Sequence, residues 1–241
     1  MTLEPHIVAR TALPCETREA MLALHARNFD NVRRDRFMAD LDQKDWAILL
    51  REPSGELAGF STQQLIPFPA AGTTVRFLFS GDTVVDRRHW NTPLLAGCFG
   101  RLMLRLMDTH GERDLYWLLI SKGFRTYRFL PVFFNRFWPA PDRETPPDMA
   151  ALLSAVSRHK FGAAYDTAAG VVRPADGDRL APSLALVPPT RLRDPHVAFF
   201  LRRNPGYSHG HELACLAPIH RDNLNVYARR VIEATTPVWQ C

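Results

Sequence analysis

The apolar pattern in the middle of the chain predicts a strand, a helix and a second strand in close succession. Residues 76–85 (RFLFSGDTVV) have the β-branched and aromatic composition of a strand, and residues 94–107 place their apolar side chains at helical spacing. Residues 115–120 (LYWLLI) form a short apolar run, as in a buried strand. A unit of this kind usually has parallel strands joined by a right-handed crossover.

The residues before this unit predict two helices and a strand hairpin. Apolar positions recur at helical spacing from Thr17 to Phe29 and again in RRDRFMADLDQK, residues 33–44. Residues 45–52 and 57–68 form strand-like runs, and the Pro-Ser-Gly turn between them favours a hairpin. Two helices, three sequential strands, a helix and a further strand predict an α/β protein with a mixed sheet.

The residues after the unit are less regular. Residues 121–134 predict a short helix with an aromatic face, and the proline-rich segment 138–148 predicts a surface linker. Residues 161–189 predict at most one or two short strands within a long loop. Three helices and one strand are predicted elsewhere, with the helices at residues 149–160, 195–203 and 220–235 and the strand at residues 211–219.

Length and composition limit the class of protein. The 241 residues, 46% of them hydrophobic, are enough for one large domain or a domain with an elaborated end. No apolar run is long enough for a transmembrane helix, and the N-terminus lacks the features of a secretory signal. The four cysteines lack CxxC spacing, which argues against a zinc site or disulfide framework and favours the cytoplasm. They are Cys15, Cys98, Cys215 and Cys241.

The positive charge is almost entirely arginine. Lys and Arg number 30 against 25 Asp and Glu, and the only lysines are Lys44, Lys122 and Lys160. Codon usage in a GC-rich genome would explain this bias, and so would a need to bind phosphates, which a guanidinium can bind bidentately. The basic residues are dispersed, with no more than two consecutive, so no nucleic-acid partner is expected.

The start of the central helix has the features of an anion site. Thr92 is a good N-cap, and Pro93 suits the first helical position. Arg87, Arg88 and His89 lie just before it, where free N–H groups and the helix dipole favour an anion. The sequence therefore predicts a phosphate site at this turn.

The order of elements resembles the GNAT (Gcn5-related N-acyltransferase) superfamily, over residues 11–138. LLREPSGELAGFSTQQL (49–65) resembles the family's second and third strands and the turn between them. FLFSGDTVVDRRHW (77–90) resembles the fourth strand and the pyrophosphate loop. LYWLLISKGFRTYRFLPVFF (115–134) is similar to the fifth strand and the helix that carries the family's tyrosine.

The resemblance implies a fold and an activity. It implies a mixed, mostly antiparallel sheet flanked by helices, with residues 1–138 as the donor-binding core and residues 139–241 as an extension that completes the sheet and the acceptor site. It also implies transfer of an acyl group, expected to be fatty, from acyl-CoA or an acyl carrier protein thioester to an amine of a small molecule or peptide. Within the superfamily, the chain most resembles a lineage that transfers long acyl chains to amino acids or peptides. The alternative is a non-catalytic module of the same fold that binds a ligand or partner.

The loop departs from the family pattern. The motif [Gln/Arg]-x-x-Gly-x-[Gly/Ala] corresponds to residues 88–93, where Arg88 matches but Asn91 and Pro93 replace the glycines. Pro93 has no backbone N–H to offer a pyrophosphate, which leaves room for a carrier-bound donor. The family polarises the donor carbonyl at a bulge in the fourth strand, and Gly81 favours a bulge here. The resemblance implies these donor contacts: Thr83, Val84, Val85, Arg87, Arg88, Asn91 and Thr92.

Asp82 is the first candidate for the base that deprotonates the amine, or for the anchor of the acceptor. Strand alternation places Ser80 and Asp82 on one face, and a carboxylate within an apolar strand needs a partner. Asp82 would otherwise cap the following turn or pair with Arg87. His89 and His110 are alternative bases, since an imidazole titrates near neutrality, or else surface histidines.

Tyr127 lies where the resemblance implies the tyrosine that protonates the leaving thiolate, and it would otherwise be a core aromatic residue. The aromatic residues around it have the same two interpretations, either core packing or a channel for a long acyl chain. These are Phe124, Phe129, Phe133, Phe134 and Trp138.

The glycine-rich loop at residues 204–216 concentrates Tyr207, His209 and His211. The His-x-His pair offers two metal ligands, but no third ligand follows at a recognisable spacing, so no metal is expected. The loop is predicted to form a wall of the acceptor site, together with Ser80.

Overall fold

The computed structural model of the protein describes residues 3–70 and 72–240, and Cys241 lies outside them. In chain order the strands are β1 (Glu4–Ala9), β2 (Phe29–Asp30), β3 (Trp46–Arg51), β4 (Leu57–Ala70), β5 (Thr73–Val85), β6 (Leu115–Ser121), β7 (Tyr165–Asp166), β8 (Val171–Val172), β9 (Arg179–Leu180), β10 (Glu212–Pro218) and β11 (Val238–Gln240). The helices are α1 (Cys15–Ala26), α2 (Arg34–Asp42), α3 (Leu94–His110), α4 (Phe124–Tyr127), α5 (Phe129–Phe133), α6 (Pro147–Phe161), α7 (Pro182–Ala185), α8 (Pro195–Arg203) and α9 (Val226–Glu233).

Nine of these strands form one sheet in the order β11-β1-β3-β4-β5-β6-β10-β8-β7, and β2 pairs with β9 separately. Neighbours in the large sheet are antiparallel except β1 with β11 and β5 with β6, which are parallel. The predicted class, a mixed and mostly antiparallel sheet flanked by helices, is confirmed. Residues beyond 138 contribute β7, β8, β10 and β11 to the same sheet. Within the described residues no helix combines the length and the apolar character needed to cross a membrane.

Helices cover both faces of the sheet. On one face α3, α4, α5, α8 and α9 bury the largest core. On the other face α1 and α2 bury a second core and α6 a third. Strand β6 is covered on both faces, since Trp117 and Leu119 contribute to the core under α3 and Leu118 to the core under α6. This explains why its sequence is continuously apolar instead of alternating.

A bulge interrupts the pairing of β4 with β5. Ser61 pairs with Thr83 and Gln63 pairs with Ser80, so that Thr62 alone lies opposite two residues of β5, Gly81 and Asp82. The parallel ladder between β5 and β6 ends at the same level, because its last pair is Ser80 with Leu119. Beyond this point the two strands part, as a bulge in β5 favours.

Two paired strands at the chain ends were not predicted. β1 carries Glu4, Pro5 and His6, which hide its strand character, and β11 has only three residues. They pair in parallel with each other, and β1 also pairs with β3. The predicted helix at residues 220–235 is shorter than expected, since α9 begins at Val226 after an Asn225 side-chain cap.

Helix α3 packs very closely against the C-terminal segment. A Cβ atom at Gly97 would overlap the Thr235 side chain, and one at Gly100 would lie within 2.5 Å of Ile232 Cδ1. The approach of Thr235, just after α9, therefore favours glycine at position 97, and the approach of Ile232 in α9 favours it at position 100, although glycine weakens a helix interior.

Gly100→Ala should destabilise the protein by about 1–3 kcal/mol, because overpacking exceeds the roughly 0.5–1 kcal/mol that alanine gains in helix propensity. Urea unfolding measures this. The double variant Gly100→Ala/Ile232→Ala should be less destabilised than the sum of the two single variants, since the smaller side chain removes the overlap. An additive pair, or a stabilised Gly100→Ala variant, would contradict the packing described.

Candidate functional site

A cleft of about 610 Å³ opens where β5 and β6 part. Its walls come from residues 83–85 of β5, from residues 90–93 before α3, and from the segment 122–133 that follows β6. Leu180, Leu184, Pro188 and Arg191 from the C-terminal part line it as well. The cleft therefore lies beside the edge of β5 that β6 leaves unpaired.

Five of the predicted donor contacts line this cleft, namely Thr83, Val84, Val85, Asn91 and Thr92. Arg88 does not line it, which corrects the predicted phosphate site. Its guanidinium lies 3.1 Å from Asp86 Oδ1 and 3.3 Å from Glu52 Oε1, with Glu56 also nearby. Because these carboxylates already neutralise Arg88, it has little positive charge left to offer a phosphate.

A different set of arginines lies at the mouth of the cleft. Arg125 and Arg191 line the cleft. Arg87 does not line it, but the centre of its guanidinium group lies 5.6 Å from the Trp90 ring, and Trp90 does line the cleft. The Arg125 guanidinium lies over Trp90 at 4.8 Å and donates to the Leu184 carbonyl at 2.9 Å.

Within residues 3–70 and 72–240, none of these three arginines forms an ion pair with a carboxylate. Burial, with the positive charges of Arg87 and Arg191, lowers the pKa of the Arg125 guanidinium. We call Arg87, Arg125 and Arg191 the basic mouth. Sequence reasoning missed Arg125 and Arg191 because they are isolated charges on unrelated segments.

A smaller, mostly apolar cavity of about 40 Å³ continues inward from the cleft, between α3 and the sheet. We call it the inner cavity. Its lining includes Phe99, Met103 and Phe134, and it shares Thr83 and Phe133 with the cleft.

One side of the inner cavity is a continuous row of hydrogen bonds, which we call the polar row. Trp117 Nε1 donates to Ser80 Oγ (2.9 Å), Ser80 donates to Gln63 Oε1 (2.8 Å), and Gln63 Nε2 donates to Ser61 Oγ (2.7 Å). Ser61 and Thr83 share a further bond of 2.7 Å. Ser80 therefore borders the inner cavity, which corrects its predicted place in the acceptor site.

The bulge reverses the side-chain alternation of β5. Ser80 faces the α3 side, where it contacts Trp117, whereas Asp82 faces the α1 side, 4.0 Å from His25 Nε2. The predicted common face of Ser80 and Asp82 is wrong, because two residues of β5 stand opposite Thr62 and shift the register by one.

Asp82 belongs to a charged cluster of His25, Asp82, Lys122, Asp178 and Glu212. His25 Nε2 lies 2.6 Å from Asp178 Oδ2, and Lys122 Nζ lies 2.6 Å from Asp178 Oδ1 and 3.6 Å from Glu212. Of these five residues Lys122 lines the cleft and Asp82 does not, so that the cluster borders the cleft through Lys122. Five residues from five separate segments meet here, and of these only Asp82 was predicted.

The cluster shifts the pKa values of its carboxyl groups in opposite directions. Burial raises the pKa of Asp82, and the negative charges of Asp40 and Asp178 raise it further, against the opposing effects of His25 and Lys122. Burial also raises the pKa of Glu212 to about 7. Burial acts in the same direction on Asp178, but hydrogen bonds and charges from His25 and Lys122 outweigh it and lower its pKa. Asp82 thus has the properties of a base, and Asp178 those of a permanent counter-ion.

The same cluster holds the one group of potential metal ligands in the part of the chain that the structure describes. The ligand atoms of His25, Asp82 and Asp178 lie within 4.8 Å of one another. The Lys122 ammonium already provides a positive charge beside Asp178, however, and no other cation is needed to balance that carboxylate.

Tyr127 and His89 lie outside the cleft, which corrects both predicted catalytic roles. The Tyr127 ring is fully buried, and its hydroxyl donates to the Pro139 carbonyl at 2.8 Å, so it cannot reach a thiolate in the cleft. Burial also raises the pKa of the Tyr127 hydroxyl above its ordinary value. His89 Nε2 lies 3.0 Å from Glu52, and His110 is exposed at the end of α3.

The predicted acceptor loop is also set back from the cleft. Tyr207 donates to the Ala185 carbonyl at 3.2 Å, His209 is exposed, and His211 packs against Gly206. None of the three lines the cleft, and the segment packs against β9, whose Leu180 does line it. The loop supports a wall of the cleft instead of forming one.

Glu212→Gln should flatten the pH dependence of stability between about pH 5 and 8. The folded-state pKa of about 7 exceeds the usual 4.5, so the folded protein keeps a proton that the unfolded chain loses. The stability that this proton contributes is fully present below the unfolded-state pKa of 4.5. It is lost as the pH rises toward the folded-state pKa of about 7, which lowers the free energy of unfolding by up to about 3 kcal/mol. Urea unfolding across this range measures it.

Glu112→Gln is the control, because the hydrogen bond from the Arg221 backbone N–H, with the Arg221 guanidinium, lowers the pKa of Glu112 and places its titration below this range. A wild-type stability that does not fall between the two pKa values of Glu212, or equal slopes in both variants, would contradict the prediction.

No protein-family model and no curated protein matches the chain. Among solved structures it is similar to a conserved protein of unknown function from Enterococcus faecalis, a probable N-acyltransferase, with 12% identity and a TM-score of 0.44 over 57% of this chain and 33% of that one. It is similar to a GNAT family N-acetyltransferase from Escherichia coli in complex with CoA, with 13% identity and a TM-score of 0.38 over 51% and 65% of the two chains. An acyl-CoA N-acyltransferase from Pseudomonas aeruginosa matches at 14% identity and a TM-score of 0.37 over 50% and 80%. These similarities identify neither an activity nor a substrate for this chain.

Proposed function

We propose that the protein is an N-acyltransferase, which moves an acyl group from a thioester donor in the cleft to an amine bound beside the charged cluster. The observation that carries this proposal is the parting of β5 and β6 at the bulge. It leaves an unpaired strand edge that can hydrogen-bond an extended donor, with an apolar cavity on one side and a partly buried carboxylate on the other.

The donor would enter at the basic mouth. Its pantetheine arm would run along residues 83–85, and its acyl group would enter the inner cavity. Phosphates of a CoA donor would bind the unpaired guanidinium groups of Arg125 and Arg191, which can bind phosphate oxygens bidentately. A carrier-bound donor would use the same arm but would lack the nucleotide phosphates.

The chemistry would be aminolysis. Asp82 would take a proton from the acceptor ammonium, and the amine would then attack the thioester carbonyl. Backbone N–H groups on the unpaired edge of β5 would stabilise the oxyanion of the tetrahedral intermediate. Its collapse would form the amide and expel the thiolate, and the second proton that the nitrogen loses would reach the thiolate through solvent in the open cleft, since Tyr127 is out of reach.

The fatty acyl group predicted from the aromatic residues does not fit the inner cavity. A space of about 40 Å³ holds about three to four water-sized groups, at roughly 10–15 Å³ each. Phe129, Phe133 and Phe134 line this cavity, whereas Phe124 and Trp138 do not. We therefore propose a short acyl chain.

Binding of acyl-CoA by calorimetry, together with thiol release in the presence of amino acids, diamines, aminosugars and peptides, tests the function. Tight binding with thiol release that depends on an amine supports the transferase. Tight binding with no release from any amine would instead support the alternative, a non-catalytic ligand-binding module. Lack of binding to any acyl-CoA or acylated carrier would sink both.

Arg125→Ala should weaken acetyl-CoA binding by about 1–3 kcal/mol, the cost of losing a charged hydrogen bond. Arg88→Ala is the matched control, because Arg88 lies on the turn before α3 but is paired with Asp86 and Glu52 outside the cleft. Calorimetry at low ionic strength measures both variants. Equal losses in the two variants, or a loss only in Arg88→Ala, would place the phosphates elsewhere.

Asp82→Asn should lower turnover by about 10²-fold or more with little change in donor affinity, as expected for loss of a general base. Glu212→Gln removes a carboxyl from the same cluster and should retain most of the turnover. Thiol release with the best acceptor of the panel measures the rates. If Glu212→Gln is the inactive variant and Asp82→Asn is active, the base is Glu212.

A further inference from the structure

We propose that the transferred acyl group is short and carries an uncharged oxygen, a hydroxyl or keto group, which the polar row recognises through Gln63. This inference rests on the N-acyltransferase function proposed above, and it specifies the donor further. It concerns the inner cavity alone.

The inner cavity is placed to receive the acyl end of a donor. Thr83, at the bulge, lines both the cleft and the inner cavity. A chain that passes Thr83 therefore moves from the cleft directly into this space. The volume admits about three to four heavy atoms beyond the carbonyl, at roughly 10–15 Å³ for each water-sized group.

Four polar side chains in this lining set it apart from a purely apolar acyl pocket. Ser61, Gln63 and Ser80 are exposed by only 2%, 1% and 4%, and Thr83 is half-buried. The rest of the lining is apolar except for Thr126 and the Trp117 N–H, and no charged side chain among the described residues contributes. These side chains pair with one another, but a plain hydrocarbon chain could not satisfy the donor and acceptor capacity that this pairing leaves unused, and an unpaired buried polar group costs free energy.

The hydrogen bonds of the row leave one donor unused. Gln63 accepts from Ser80 through its carbonyl oxygen and donates one amide hydrogen to Ser61. Its second amide hydrogen has no partner among residues 3–70 and 72–240, although the side chain is almost fully buried. Because Gln63 lines the inner cavity, an acceptor atom inside it can satisfy this hydrogen.

The chemistry of that acceptor follows from the lining. An alcohol or ketone oxygen can accept from Gln63, and an alcohol can also donate to a free lone pair of Ser61 or Ser80. A carboxylate would lack a counter-charge here, and an ammonium would lack an anion. The class is therefore a neutral, oxygen-bearing short acyl group, such as 3-hydroxybutanoyl.

The experiment compares butanoyl-CoA, acetoacetyl-CoA and both enantiomers of 3-hydroxybutanoyl-CoA by calorimetry and by thiol release with an amine. The wild type should prefer at least one oxygen-bearing donor over butanoyl-CoA by about tenfold or more in affinity and kcat/KM, because an unmatched donor leaves a buried group unpaired. Gln63→Leu should remove this preference while still binding butanoyl-CoA.

Thr62→Val is the matched control. Thr62 adjoins Gln63 in the sequence but points to the other face of β4, where its buried hydroxyl has no partner among the described residues. This variant should keep the wild-type preference. Ser80→Ala, which shortens the row at its other end, serves as a second test if Gln63→Leu fails to fold, and it should reduce the preference.

Equal affinity of the wild type for all four donors would overturn the proposal. So would a preference that persists in Gln63→Leu, or in Ser80→Ala if that variant is the one tested. Wild-type binding that is tightest for butanoyl-CoA would show that the row only holds water in this cavity. Each of these results leaves thiol release from butanoyl-CoA intact. Failure of the transferase itself would appear as no release from any donor.

Discussion

The site depends on one extra residue in one strand. Where Gly81 and Asp82 together face Thr62, the hydrogen-bond register of β5 shifts, and the ladder to β6 ends at the same level. This single irregularity opens the cleft, turns Thr83 toward the inner cavity and turns Asp82 toward the charged cluster. Gly81 is required there because a Cβ atom would lie 2.6 Å from Thr62 Oγ1 and 2.8 Å from Lys44 Cε.

The charges around the cleft differ from one end to the other. The basic mouth has three guanidinium groups without paired carboxylates among the described residues, whereas the charged cluster has three carboxyl groups to one lysine and one histidine. Like charges held together are costly unless a ligand of opposite charge completes them. An anionic donor end and a cationic acceptor would therefore be drawn to opposite ends, which would bring the thioester and the amine together at the bulge.

The sequence predicted those helices and strands whose formation depends on residues close together in the chain. The hairpin of β3 and β4, helix α3 and strand β6 have strong local patterns, and Gly81 correctly marked the bulge region. Local patterns could not predict the pairing of β1 with β11, since the partners lie at opposite ends of the chain. They could not predict the charged cluster either. His25 lies among the apolar positions of α1, which was a usable signal, but Asp178 lies in a segment without periodicity.

The side-chain directions predicted around the site were also wrong because they rested on local patterns. Alternation predicts which face of the sheet a side chain points to only where the strand pairing is regular. The bulge, which was correctly expected, shifts the pairing between Ser80 and Asp82, so that alternation no longer holds for these two residues. The family resemblance likewise placed Tyr127 about one helical turn past β6, as the residue that protonates the leaving thiolate. The chain breaks into two short helices there, however, and α8 packs over the ring.

Polar contacts attach residues 176–191 to the site. Asp178 bridges His25 of α1 and Lys122 after β6, and the Arg125 guanidinium is held by the Leu184 carbonyl. Arg36 of α2 donates to the Asp176 carbonyl, and Asn31 to the same carbonyl and to that of Gly177. Residues 176–191 therefore join the α1–α2 side of the cleft to the β6 side. The charged cluster and the basic mouth both depend on this segment, so that a single connection positions the proposed donor end and acceptor end relative to the bulge.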